Sequence, residues 1–232
     1  MTKNFIKLFL LLLSLTVYSQ KKEYKSAEKA FKKGDISLSE SIIKDNSLLF
    51  DSADDKIKNQ IKFLLARINH HNKKFSVALN MYNELKENPS YTDLINERLN
   101  ALSGDLITAA IEESEAKDFL NSSKKLYLAY TIDNEGGMDY LYYASQNAIN
   151  GSDYDMALDY LIQLKEKQYT GSVTNYYATE VSTGNEVSLD ATQFKFFQKS
   201  DEYSDFREEQ TPSKYPEIVK NIALIYSQQG ET

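Results

Sequence analysis

The sequence predicts an all-α protein, an α-solenoid of antiparallel helical hairpins carrying a small β-hairpin insert. Three observations point there. The first is a recurring register: a small residue, an aromatic or aliphatic one nine positions on, a small one three further, and an apolar one four further. It reads Ala66–Phe75–Ala78–Tyr82, Ala110–Phe119–Ser122–Leu126 and Ser145–Tyr154–Ala157–Leu161, with a weaker copy at Ala27–Ile36–Ser39–Ile43 and an unfinished one at Ala223. Repetition at this scale is the signature of stacked helical hairpins. The second is the scarcity of Gly (8) and Pro (3), which suits helices and argues against a sandwich or barrel. The third is a Tyr-, Thr- and Val-rich stretch from Val173 to Val181, followed by the turn residues Ser182–Asn185 and by Glu186–Leu189. Its alternation reads as a β-hairpin.

The elements follow in chain order. Residues 1–19 read as a signal peptide: Lys3 and Lys7 precede an apolar run from Leu8 to Val17, and Val17 and Ser19 are the small residues before a cleavage position. The alternative is an uncleaved anchor, although the run is shorter than the ~20 residues that span a bilayer. The Ser19-Gln20 junction resembles export signals of Gram-negative bacteria. That implies an exported chain, periplasmic or outer-membrane-associated, meeting the membrane only through the transient signal peptide.

Residues 20–169 form about four hairpins. In each, the small residue of the first helix lets its partner helix approach, and a short turn follows. Gly34 and Gly151 are expected to end their helices in the left-handed conformation. The stretch Tyr91–Leu99 predicts either a lengthened first helix or one broken near Ser103-Gly104. Residues 170–212 are an insert, in which Phe194–Phe197 anchors the hairpin to the neighbouring helices and Asp201–Ser213 is a loop. Residues 213–232 begin a further repeat whose second helix would start near residue 233. The chain therefore reads as the N-terminal part of a longer protein, with Ile222, Leu224, Ile225 and Tyr226 left without a hairpin mate.

The register resembles the tetratricopeptide repeat (TPR) at the small, aromatic, small and apolar positions over residues 22–169. A generic helical bundle is the alternative. The copies are degenerate: the family's tryptophan is missing throughout, its second aromatic position holds Ala30, Asn69, Glu113 and Ala148, and the repeat spacing drifts. The resemblance implies protein or peptide binding on a concave surface lined by first helices. Projected onto this chain, that surface comprises Phe63, Arg67, His70 and His71; Ile107, Ile111, Ser114 and Glu115; and Tyr142, Gln146, Ile149 and Asn150.

Other chemistry finds little footing. A net charge of −7 without a basic patch argues against nucleic acid. The chain has no cysteine, which removes disulfides and thiolate chemistry. Adjacent His70 and His71 diverge by about 100° on a helix and do not converge on a metal. The acidic runs Asp51–Asp55 and Glu112–Glu115 read as solvated faces, and no phosphate loop or nucleophile motif occurs. No cofactor, metal or catalytic residue is expected. Seventeen tyrosines, clustered from Tyr127 to Tyr169, suit either packing between hairpins or recognition. Two further roles remain open: a structural part of an envelope assembly, and a binder of an exported small molecule or glycan.

Overall fold

The computed structural model describes residues 2–230, with side chains from Val17 onward. The residues past 230, and whatever would follow them, lie outside that range. The chain divides into two compact units, residues 1–108 and 109–232.

In the first unit, α1 (Thr2–Lys32) pairs with α2 (Ile36–Asp45), and α4 (Asp55–His71) pairs with α5 (Phe75–Lys86). A short α3 (Ser47–Asp51) connects the two hairpins. Asp54 accepts a hydrogen bond from the Ile57 amide at 2.8 Å, so part of the Asp51–Asp55 run serves as an N-cap. A core of Ala27, Ile43, Phe50, Ile57, Ile61, Leu64 and Ile68 joins α1, α2, α3 and α4. Helix α6 (Thr92–Glu115) is unbroken through Ser103-Gly104 and contains the division point.

In the second unit, α7 (Phe119–Ile132), α8 (Met138–Asn150) and α9 (Tyr154–Glu166) pack in sequence, and α11 (Tyr215–Gln229) lies against α9. Ile218, Ile222 and Ile225 of α11 are buried with Leu141, Leu161 and Leu164. Ile222 and Ile225 are therefore buried, although the second helix expected to pair with theirs lies outside the described residues. They face back onto the preceding hairpin, whereas Leu224 is 55 % exposed.

The register is visible as close packing. Ala27, Ser39, Ala66, Ala78, Ala110, Ser122, Ser145 and Ala157 are each at most 1 % exposed. Where the second-helix residue is serine, its hydroxyl donates to the first-helix carbonyl twelve residues earlier: Ser39 to Ala27 at 2.8 Å and Ser122 to Ala110 at 2.7 Å. A helix surface cut back to Cβ or Oγ lets the backbones approach, and the hydroxyl is satisfied in doing so.

The turns repeat too. Seven residues after each small residue the chain enters the left-handed region, at Gly34 (φ 83°), Lys73 (φ 56°), Lys117 (φ 62°) and Ser152 (φ 62°). The next amide reaches back five residues, as in Asp35 to Ala30, Lys74 to Asn69, Asp118 to Glu113 and Asp153 to Ala148, at 2.8–3.0 Å. This is a Schellman cap repeated at each turn. The same offset from Ala223 lands on Gly230 at φ 78°. Gly151 corrects the sequence expectation: its φ is −82°, and Ser152 takes the left-handed role. Gly151 answers a different demand, because a Cβ there would meet Leu120 Cδ2 at 2.5 Å.

The insert holds three strands, β1 (Thr174–Glu180), β2 (Glu186–Leu189) and β3 (Tyr203–Gln210), antiparallel in the order β2-β1-β3. The segment expected to be a loop therefore supplies β3. Its charged side chains hid it, since an edge strand with solvated faces carries no apolar alternation. Between β2 and β3, α10 (Ala191–Phe197) starts with a capping box at Asp190 and Gln193. Phe194 of α10 packs on Tyr176 and Phe206, at ring distances of 4.8 and 5.4 Å. The hairpin thus leans on its own third strand and helix, not on the repeat helices. The insert closes where it opened, with the Thr211 amide donating to Val173 and the Lys214 amide to Thr170.

Candidate functional site

On α4, Phe63, Arg67 and His70 lie at helical spacing on one face. The Arg67 guanidinium sits over the Phe31 ring at 4.3 Å and near the Phe63 ring at 5.7 Å. Phe63 also meets Tyr82 at 6.4 Å and Tyr91 at 6.1 Å. His70 meets Phe75 and Tyr82 edge-on, and its Nε2 is 2.9 Å from Asp105. His71 points to solvent. The two histidines diverge, and among the described residues no group of three or more His, Asp or Glu could hold a metal.

Around this face the structure gathers residues that the register assigned elsewhere or not at all: Tyr24, Tyr82, Tyr91 and Arg98. Burial lowers the pKa of Arg67, and the charge of Arg98 lowers it further. Burial pushes the Tyr82 hydroxyl up to about 12, against the pull of both arginines. Tyr24 is also pushed up to about 12, by burial and then by Glu28. The Tyr82 hydroxyl and the Arg98 Nε are buried and have no hydrogen-bond partner.

The second unit arranges its first-helix residues differently. Ile111 is 53 % exposed although the preceding Ala110 is 1 % exposed. Ile107 is half-buried, Glu115 and Asn150 are exposed, and Ile149 rests against the core. The Ser114 hydroxyl bonds Asn147 at 3.0 Å. The Gln146 Nε2 is buried without a partner.

Tyr142 offers no free ring. It is 8 % exposed, its hydroxyl bonds Glu217 at 3.0 Å, and the Lys214 ammonium lies 4.4 Å over its face. Tyr143 and Tyr169 complete the cage around Lys214, at 5.0 and 5.9 Å, with Asp139 at 3.4 Å. Much of the tyrosine cluster is packing of this kind: Tyr127 and Tyr160 stack at 4.6 Å beside an open cleft of about 650 Å³.

Paired antiparallel helices, small residues at the closest approach and a repeated turn define the class: this is a TPR-like helical-repeat protein with a small β insert. No protein-family model matches the chain, and no curated protein matches it. Among solved structures it is similar to BtubC (BKLC) from P. vanneervenii, at 11% identity and TM-score 0.33, over 94% of this chain and 85% of that one. It is also similar to a Podosopora anserina protein of nearly identical TPR-like repeats, described as a kinesin light chain. That match has 8% identity and TM-score 0.29, over 91% of this chain and 97% of the other.

Proposed function

We propose that the protein is a non-enzymatic scaffold that binds a protein or peptide through the exposed sides of its first helices. The observation that carries this reading is the abrupt change at the register. Directly after the buried Ala110 comes Ile111, a side chain that leaves the core. Packing requires the small residue and leaves its neighbour free for recognition. Ile111 thus presents an apolar side chain, more than half exposed, on the first-helix side.

Export to the cell envelope belongs to the same proposal. Support comes from the start of the folded body: Tyr18 is 71 % exposed, whereas Gln20 is 3 % exposed and bonds the Leu49 carbonyl at 3.0 Å. Among the residues whose side chains are described, Gln20 is the first buried one, and it directly follows the expected cleavage position. Among the described residues no helix is long and apolar enough to cross a membrane.

The test is affinity capture from envelope extracts, with Ile111→Glu and Arg67→Glu set against a second-helix control, Lys124→Glu, exposed on α7. A partner lost with the first two and kept with the third is the expected result. A partner kept by both face variants, or lost only on deletion of residues 173–190, would sink the first-helix reading and favour the insert as the contact.

A further inference from the structure

In the second unit, the second helices α7 and α9 frame an open cleft of about 650 Å³, a volume that admits a small organic molecule. Its lining holds two carboxylates, Asp153 and Asp159, and no Lys, Arg or His. Asp153 caps α9 by accepting from the Met156 amide at 3.1 Å through Oδ1, which leaves its other oxygen over. Tyr127 and Tyr160 stack at 4.6 Å, within 12° of parallel, and form an aromatic wall. Tyr160 is only 8 % exposed, and among the described residues its hydroxyl has no hydrogen-bond partner. Unlike the hydroxyl of Tyr82, it is not sealed from solvent. Burial, and then Tyr127, Asp153 and Asp159, push its pKa up to about 12, so it stays protonated at neutral pH. A polar group so deeply set, unpaired by the fold and open to a cleft, marks where a ligand atom sits.

We infer that this cleft binds a linear organic diamine, with its two ammonium ends at Asp153 and Asp159 and its aliphatic stem along Met156 and the tyrosine rings. Charge and spacing both select this ligand. Carboxylates that the lining leaves without a cation take charge-assisted bonds from an ammonium, and the tyrosine wall adds cation–π attraction. A neutral sugar or diol would leave both charges uncompensated. The two aspartates stand six residues apart, about 9 Å along the helix axis. A stem of about five methylenes, at ~1.5 Å per C–C bond, places an ammonium near each. The Tyr160 hydroxyl accepts from a ligand N–H while donating its own proton to a carboxylate. The net charge of −7 draws cations to the chain as a whole, and salt weakens that attraction.

The cleft is built from second helices, so it stands apart from the first-helix reading above, and its test needs no natural partner. The full chain is titrated by calorimetry, at low and at physiological salt, with 1,5-diaminopentane, with pentylamine, with 1,5-pentanediol and with N-acetyl-lysine methylamide. The diamine is expected to bind at least about tenfold more tightly than either monocation, and the diol not at all. Asp159→Asn is expected to remove that margin. Glu166→Gln, an equal change of charge at an exposed position of α9 outside the lining, should leave it intact. Tyr160→Phe should weaken the diamine about threefold or more while leaving the urea midpoint at neutral pH unchanged, because the lost hydroxyl has no partner in the fold.

No binding of the diamine at millimolar concentration, equal binding of the diol, or equal losses with Asp159→Asn and Glu166→Gln would each overturn the site. Binding of the lysine derivative or of pentylamine as tightly as the diamine would overturn the two-ended ligand, and with it the pairing of Asp153 with Asp159.

Discussion

Hydroxyl groups with and without partners predict opposite mutational signs. Ser39 and Ser122 stand where other repeats have alanine, and each donates to a buried carbonyl. Ser122→Ala should destabilise by about 1 kcal/mol, read from the urea midpoint at constant slope, while Ser122→Leu should cost several times that by overpacking. The buried tyrosines set an alkaline limit. The hydroxyls of Tyr82, Tyr142 and Tyr160 are raised from 10 to about 12, chiefly by burial. A folded-state pKa above the unfolded one favours the protonated fold. The associated stability is fully present below pH 10 and is lost as pH rises toward 12, at roughly 2–3 kcal/mol per fully buried tyrosine. Urea midpoints should therefore be level from pH 8 to 9.5 and fall steeply above pH 10, with Tyr82→Phe showing a shallower fall. At this scale the sequence was legible for Ala66 or Ser145 and opaque for Arg98. The former obey a register, whereas Arg98 joins the site only because α6 lies near α4.

At the scale of the helix and its turn, the left-handed residue is the repeated device, and evolution has filled it unequally. Gly34 and Gly230 adopt φ > 0 without strain, but Lys73, Lys117 and Ser152 pay the Cβ penalty of about 1–2 kcal/mol. Lys73→Gly and Ser152→Gly should each raise stability by a few tenths to 1 kcal/mol, offset in part by the entropy of the unfolded chain. Gly34→Ala should lower it by about 1 kcal/mol. Gly151→Ala should be harmful for another reason, the 2.5 Å approach of Leu120. Thermal melts of these four variants separate the conformational cause from the steric one. The turn positions were readable from spacing, since each lies between two periodic segments. The choice between Gly151 and Ser152 was not, because it depends on which atom of α7 fills the space beside the turn.

Across the whole molecule, each unit carries its own core, and the insert carries a third, smaller one around Ala178 and Phe194. The insert returns to the helices at Lys214, whose ammonium is held by three tyrosine rings and Asp139. Lys214→Met keeps the aliphatic stem and removes the charge, so it should cost about 1–2 kcal/mol through the lost cation–π contacts. Hydrogen exchange should then quicken at residues 211–220 and remain unchanged in α4 and α5. Quickened exchange throughout the second unit would instead mean that the cage supports the core itself. Sheet strand β3 shows why the insert was only half visible: Arg207 bonds Glu186 and Glu209 and covers Tyr177 at 4.5 Å, so a charged sequence is stabilised by cross-strand pairs.

Periodicity by itself determined the helical hairpins, their close-packed small residues and the position of each turn, because these are local consequences of a helix having 3.6 residues per turn. Tertiary structure alone decided which polar groups meet. Arg67, Tyr82 and Arg98 come from three helices, and Lys214 reaches Tyr142 from 72 positions along the chain. The recurring register guarantees that helices approach. What they bring together on approaching is set by residues outside it, for which the sequence has no period to reveal.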